Sequence, residues 1–512
     1  MHANSLSKLS KMPLPNSATL YAFHNEPKKF LAFCAACPFA QAKGADFVKF
    51  DERPAWKTGR KHDMIDWQQK NLSACADMPA RLLKEGVFMH EPFFLRGTLL
   101  YSSSPDTIEI LDDGWLLCRN GKAAGVFRQK PERFKNLDVL DYSGKLIIPG
   151  MTDLHLHAPQ FSFRGLGMDL ELLDWLNTYT FPEEAKYEDL SYAETAYESF
   201  VTRLTRSTTT RACIFATLHL PATLLLMQKL EDAGLDTYVG KVNMNRNCPA
   251  YLREISTNQA IRDTESWVLQ SRERFVRTKP ILTPRFIPSC TDDLMYALSR
   301  LRAKYDLPVQ SHLSENLGEI DWVRELCPRS KFYGDAYDQF GMFGGDYPCI
   351  MAHCVHSNEA EQELMLKRGV YIAHSPESNM NLASGVAPVN QFIDRGLHVG
   401  LATDVAGGSH ESMLKAMMHA IQASKLRWRL LDQNVKPLSF ERAFYLATMG
   451  GGQFFGKVGS FLDGYELDAV VLDDESLEHP QPLSPHARLE RMVYLADERN
   501  ICAKFVSGRK IL

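Results

Sequence analysis

The 512-residue chain has no long hydrophobic run; none reaches the roughly 18–20 residues that a membrane helix needs. It also lacks an excess of charge of either sign. Its 58 Lys/Arg and 62 Asp/Glu leave a formal net of −4, which gives no global pull toward nucleic acid or polyphosphate. A disulfide framework is missing too. The eleven cysteines, an odd number, are scattered from Cys34 to Cys502, and most sit inside apolar runs such as "RACIFAT" and "YPCIMAH". Buried thiols in a reducing, cytoplasmic compartment are therefore expected. No glycine-rich phosphate loop follows any strand-like run, which argues against a doubly wound nucleotide-binding sheet.

What is present is ordinary for a globular protein: 45% hydrophobic and 23% charged residues, in a length that suggests roughly two to four domains. Residues 1–88 stand apart. They carry 13 Lys/Arg against 8 Asp/Glu, a net of +5 that leaves −9 for the remainder. Their apolar periodicity is poor, so a flexible extension is expected there. "KKFLAFCAACPFAQA" has a faint signal-peptide shape, but it starts 27 residues in and contains a proline. Met78 and Met89 lie close to where ordered-looking sequence begins, and either would serve as a start further downstream. Cys34-x-x-Cys37 lacks a second pair, which makes it weak as a zinc site. With His24-Asn25-Glu26 it mimics a cytidine-type deaminase signature, but Phe33 replaces the proline and the gap is too short.

From 93 to 150 the signals are short strands, with Asn120-Gly121 as a hairpin turn. The last fifty residues read alike, through "ELDAVVLDD" and "RNICAKFVSGRKIL" with a Ser507-Gly508 turn. The two ends, 89–147 and 455–512, are expected to pair into one small composite β-sandwich domain. Between them, over 148–454, eight apolar runs alternate with longer helix-like segments such as "TDDLMYALSRLRAKYD". The runs are "KLIIPGMTDLHLH", "RACIFATLHL", "DTYVGKVNMN", "KPILTPRF", "LPVQSHLSEN", "PCIMAHCVH", "GVYIAHSPESN" and "LHVGLATDVAGG". That alternation predicts an α/β fold of the (β/α)₈ TIM-barrel type.

Chemistry in such a barrel sits at the C-terminal ends of the strands. The runs end in His155 and His157, His219, Arg285-Phe286, His312 with Glu315, His353 and His356, His374, and Asp404. Strand positions i and i+2 point to one side, so His155 and His157 aim at one point. Neutral imidazoles joined by a carboxylate suit zinc or iron. His312, His353 and Asp404, each ending its own run, make a metal site the expected reading. His219 and His374 read equally as structural histidines or as supports of the site, and His356 as a surface residue.

These residues carry a resemblance. "PGMTDLHLHAPQF" resembles the first metal motif of the amidohydrolase superfamily. The fuller match, over about 90–512, is to its guanine deaminase branch, through "LLDWLNTYTFPEE", "TPRF", "SHLSEN", "MAHC", "AHSPESNMNLASG" and "GLATDVAGGSHESML". The departures, "CVH" after "MAH" and Phe161 where tyrosine is common, touch no ligand position. The resemblance implies one zinc, or iron, held by His155, His157, His312 and Asp404, with His353 in or beside the metal sphere. It implies that Glu315 shuttles protons, with Asp404 and His353 handling the attacking water. It implies that Gln160, Arg285 and Phe286 hold the purine together with Glu315 and Asp404. A homodimer is implied as well. The bridging lysine of two-metal relatives has no obvious counterpart. Two alternatives to the purine contacts stay open: Arg285 as a structural salt bridge, and Gln160 as a prop for a metal histidine. Two alternatives for activity stay open too: deamination of another aromatic heterocycle (8-oxoguanine, a pterin, a triazine), or a non-catalytic scaffold on the same fold.

Overall fold

The computed structural model describes residues 91–512. The expected extension over 1–88 lies outside the described residues, and with it Cys34, Cys37, the His24-Asn25-Glu26 triplet and Met78. Strands β1 (Phe93–Ser104), β2 (Thr107–Arg119), β3 (Lys122–Phe127) and β4 (Asp138–Pro149) come first. Then follow β5 (Met151–His157), β6 (Thr209–Phe215), β7 (Asp236–Gly240), β8 (Val242–Asn243), β9 (Thr278–Pro280) and β10 (Thr283–Pro284). The rest are β11 (Val309–Leu313), β12 (Cys349–His353), β13 (Val370–His374), β14 (His398–Leu401), β15 (Ala469–Leu472), β16 (Ile501–Val506) and β17 (Arg509–Lys510).

Both chain ends build one seven-stranded sheet, β17-β16-β15-β4-β1-β2-β3, antiparallel except where β1 meets β4. Alternation along its strands sorts the side chains. Leu99, Ile147 and Val471 pack into a cluster of the sheet's own, while Leu100, Leu146, Ile148, Val470 and Leu472 face the main core. Asn120-Gly121 forms the β2–β3 turn with φ of 53° and 75°, and Ser507-Gly508 turns β16 into β17 with 46° and 75°. The two turns touch. A Cβ on Gly121 would lie 2.7 Å from the Ser507 carbonyl oxygen, so glycine is required there.

The middle of the chain is parallel β-sheet with helices between strands, in two four-stranded sets, β5-β6-β7-β9 and β11-β12-β13-β14, plus the pair β8-β10. All seven residues of β5 and of β6 are buried, as expected where helices cover parallel sheet. The predicted amphipathic helix is α1 (Asp292–Tyr305), capped by Thr291 and burying Leu294, Leu298 and Leu301. Backbone hydrogen bonds join the two sets on both sides. Leu282 N donates to Pro308 O and Gln310 N to Leu282 O, each at 2.9 Å, while Asp404 N donates to His155 O at 2.9 Å and His157 N to Val405 O at 2.8 Å.

Two details differ from the sequence reading. The run "KLIIPGMTDLHLH" is two strands, not one. At Gly150 the chain leaves the seven-stranded sheet and turns to β6, with Gly150 N on Asp468 O and Met151 N on Thr208 O, both 3.0 Å. A Cβ at Gly150 would meet Thr210 Oγ1 at 2.2 Å. The runs containing β7 and β9 are likewise each broken into two short strands. Among the described residues no helix is long and apolar enough to cross a membrane. The eight described cysteines are all free, and five are buried.

Candidate active site

β5 delivers His155 and His157 to one side, and β11 brings His312 opposite them. His157 Nε2 lies 3.2 Å from His155 Nε2 and 3.3 Å from His312 Nε2. Asp404 Oδ1 stands 3.1 Å from His155 Nε2 and 3.4 Å from His157 Nε2. Tetrahedral zinc with bonds of about 2.0–2.1 Å has ligand–ligand edges of about 3.3 Å, so this spacing fits a single metal. Burial pushes His155 below its ordinary pKa and His157 and His312 well below theirs, which leaves neutral rings with lone pairs to give. His312 Nδ1 donates to the Arg285 carbonyl at 2.6 Å, which fixes the tautomer with Nε2 free to ligate. For Asp404, burial alone would raise the pKa. His155, His353 and His157 outweigh it and hold the carboxyl well below the usual range.

His353 ends β12 beside this cluster. Its Nδ1 donates to Asn379 Oδ1 at 2.8 Å, so Nε2 faces Glu315 Oε2 at 3.4 Å and Asp404 Oδ2 at 3.7 Å. Both His353 (φ 73°) and Asp404 (φ 48°) are left-handed, a conformation that costs a non-glycine residue on the order of 1–3 kcal/mol. The cost falls where the backbone must turn a side chain off the strand into the site. Burial works to lower His353, but the Glu315 and Asp404 carboxylates outweigh it and raise its pKa. Glu315 is buried, which raises it; its Oε1 accepts from Ser384 Oγ at 3.0 Å.

The cluster opens into a cavity. Leu172, Trp175, Leu176 and Phe286 form apolar walls, and Gln160, Arg285 and Glu315 line it with polar groups. Arg285 is indeed in a salt bridge. Its Nη1 donates to Glu184 Oε2 at 2.6 Å and its Nη2 to Glu184 Oε1 at 3.1 Å. It nevertheless lines the cavity, so the ion-pair and substrate-contact readings are compatible. Gln160 Nε2 donates to the same Glu184 Oε1 at 2.9 Å, and Gln160 Oε1 accepts from Ala406 N at 3.2 Å.

An amidohydrolase family model matches residues 146–511. The chain belongs to the amidohydrolase family. It is 39% identical to guanine deaminase of Dictyostelium discoideum over 443 residues, 81% of this chain and 97% of that one. It is 34% identical to the Escherichia coli guanine deaminase over 79% of this chain and 92% of that one. The crystal structure of a guanine deaminase from C. acetobutylicum with guanine in its active site superposes with a TM-score of 0.80 at 44% identity, covering 82% of this chain and all of that one. The fold is thus the mixed α/β fold of amidohydrolase structures. The family is metal-dependent, and this amidohydrolase has a His/Asp cluster of the kind that holds an ion.

The other residues singled out in the sequence stay outside the cluster. His219 lies four residues past β6, at the start of a helix, and its Nε2 has no partner among the described residues. His374 ends β13 buried, with neither ring nitrogen paired among the described residues, and burial lowers it to about 3. His356 is not a surface residue. It is half-buried, and its Nε2 donates to Ser384 O at 2.8 Å. Lys241, just past β7, is spent on Glu254 at 2.7 Å.

Sequence reasoning missed Glu184 and Glu319. Glu319 lies four residues after Glu315, in the first turn of the helix Leu317–Leu326, and lines the cavity. Its Oε2 accepts from Glu315 N at 3.2 Å and its Oε1 from Tyr333 OH at 2.7 Å. Burial first, then the neighbouring Glu315, pushes its pKa up to about 7. The fold therefore prefers the protonated form. An ordinary carboxyl in the unfolded chain ionises near 4.5, so stability contributed here falls as pH rises from about 4.5 to about 7 and stays low above that. Glu319→Gln removes this dependence. Its unfolding free energy, relative to wild type, is expected to improve by about 3 kcal/mol between pH 4.5 and pH 8. A wild-type-to-variant difference that is flat with pH in denaturant titrations refutes the assignment.

Proposed function

We propose that this protein is a zinc-dependent guanine deaminase, hydrolysing guanine to xanthine and ammonia in purine catabolism or salvage. One observation carries the reading: a polar wall, Gln160 with Arg285, shares one cavity with His157, His312, Asp404, Glu315 and His353. The relatives named guanine deaminase, one with guanine bound, support it.

The residues fit a metal. Three neutral imidazoles and a carboxylate, His155, His157, His312 and Asp404, would hold zinc, or iron as the alternative, with His353 in or beside its sphere. When bound, the ion supplies Lewis acidity that makes water ionisable near pH 7. Asp404 takes the proton of the attacking water, and His353 Nε2 hydrogen-bonds the same oxygen. Water adds at C2 while Glu315 hands its proton to ring nitrogen N3. Glu315, now a carboxylate, takes the proton of the hydroxyl gained by C2 and passes it to the amino group; the C2–N bond breaks as C2=O forms, and ammonia leaves. The proton held by Asp404 then returns Glu315 to its acid form by way of His353 Nε2, which faces both carboxylates. Phe286 walls the flat base, Arg285 donates to O6 or N7, and Gln160 offers its remaining donor and acceptor. The apolar residues Leu172, Trp175 and Leu176 exclude bulk water from the ring.

The two parallel sets read as one closed (β/α)₈ barrel over 148–454, supported by the hydrogen bonds that bridge both gaps. The seven-stranded sheet reads as the body of a composite β-sandwich domain from 89–147 and 455–512. The enzyme acts in the cytoplasm, in keeping with the free cysteines among the described residues, and as a homodimer, as the family resemblance implies.

An ammonia-release assay across guanine, 8-oxoguanine, adenine, cytosine and pterins tests the substrate. A site that reads polar groups is expected to favour guanine in kcat/KM by ~10²-fold or more. Turnover of another base with none on guanine refutes the reading.

A further inference from the structure

Glu184 is absent from the cavity lining, yet it touches both side chains that face the base. It sits behind them on the short helix Phe181–Ala185 and is 2% exposed. The approach is set by Pro182. In a regular α-helix its ring would meet the carbonyl four residues back; here it follows a π-helical turn at Leu176–Thr180. From there one carboxylate takes three hydrogen bonds, from Arg285 Nη1 and Nη2 and from Gln160 Nε2. Arg285 closes the other way against the Phe181 ring, 5.3 Å from its centroid.

Two consequences follow from donor arithmetic and charge. Gln160 cannot flip its amide: the oxygen is held by Ala406 N and the nitrogen by Glu184. It therefore presents one N–H and one lone pair in fixed places. Arg285 spends two of its five N–H donors on Glu184 and keeps the others for a ligand. Its positive charge is also cancelled at a distance of 2.6 Å, inside a cavity with apolar walls. An uncompensated guanidinium in such a place would draw anions.

We propose that Glu184 is a positioning residue for substrate recognition: it fixes the donor pattern that Arg285 and Gln160 present, and it neutralises Arg285 so that the cavity takes a neutral base in preference to an anionic one. The proposal rests on the purine reading of the site. It makes Glu184 a determinant of selectivity that never touches the ligand.

The test uses the metal-loaded full chain and two variants, with guanine as substrate and urate, an anionic purine, as competitive inhibitor. Glu184→Gln keeps the shape and loses the charge. Losing a charge-assisted contact is expected to raise KM for guanine ~10-fold or more while kcat changes less than ~3-fold, with metal content unchanged. Urate inhibition is expected to tighten ~10-fold as Arg285 is uncovered. Glu184→Asp restores the charge at a shorter reach. It is expected to keep urate binding weak while KM stays raised, and it decides the matter should the glutamine variant not fold. Unchanged guanine KM and urate inhibition overturn the proposal, and so does a loss confined to kcat. The wild-type arm separates the two readings. If wild type turns over another base and not guanine, the assigned activity fails, and the same comparison on that base still judges Glu184.

Discussion

Replacing Glu315 with glutamine is expected to leave fold and metal content intact and to cut turnover by ~10²–10⁴-fold, the usual worth of a positioned proton shuttle. The substitution is nearly isosteric. Ser384 Oγ still finds an oxygen at the position where it now donates at 3.0 Å, and no metal ligand is altered. What is lost is an exchangeable proton at a buried site. Glu315 is 3% exposed, and burial raises its pKa, which favours the protonated acid that N3 needs. Once deprotonated, its carboxylate faces His353 Nε2 at 3.4 Å, a placement that stabilises the charged form in turn. A residue balanced in this way can give and take a proton in one cycle. Metal analysis, thermal unfolding and kcat on guanine check the expectation together. A variant with near-wild-type kcat and full metal content removes Glu315 from the proton path.

The parts of the site that depend on local periodicity were legible in the sequence. His155 and His157 converge because a strand repeats every two residues, and each remaining candidate ligand closes or follows a recognisable apolar run. Asp404 and His353 were named at run ends, but the way the backbone leaves its regular path to bring them into the site was not legible. Asp404 lies three residues past β14 and reaches His155 through a left-handed φ of 48°. His353, the last residue of β12, turns toward Glu315 and Asp404 with a left-handed φ of 73°. Periodicity stops at the strand end and says nothing of these turns. The break at Gly150 was hidden for a related reason: "KLIIPGMTDL" is apolar on both sides of the point where the chain changes sheets. Glu184 was hidden by distance. It lies 101 residues from Arg285 in the chain, and nothing local distinguishes it from Glu183, whose carboxylate instead pairs with Lys186. Glu319 had a local signal, since "SENLGE" sets two carboxyls four residues apart just after a histidine. The ambiguity over Arg285 came from treating salt bridge and ligand contact as exclusive, whereas five donors serve both.

Asp404→Asn is the substitution with the most to reveal, because the carboxylate is proposed to have two duties that the variant separates. Asparagine tolerates the left-handed backbone at this position, so the turn and its hydrogen bond from Asp404 N to His155 O are retained. The charge is not. Oδ1 now stands 3.1 Å from His155 and 3.4 Å from His157, and the imidazoles around it hold the group ionised despite its burial. A neutral amide still offers an oxygen toward the metal position, though a weaker one, while it has no proton affinity to give the attacking water. Turnover at ordinary metal concentration is therefore expected to fall by ~10³-fold or more, combining a weakened metal grip of ~10–100-fold with loss of the base. Excess zinc should refill the site and recover only the first part. Metal content measured beside kcat reads the two contributions apart: full occupancy with kcat still ~10²-fold down supports Asp404 as proton acceptor. Full recovery of kcat at full occupancy would leave it a ligand alone, and the proton of the attacking water would then have to pass to Glu315 or His353, which lie 3.4 Å from one another.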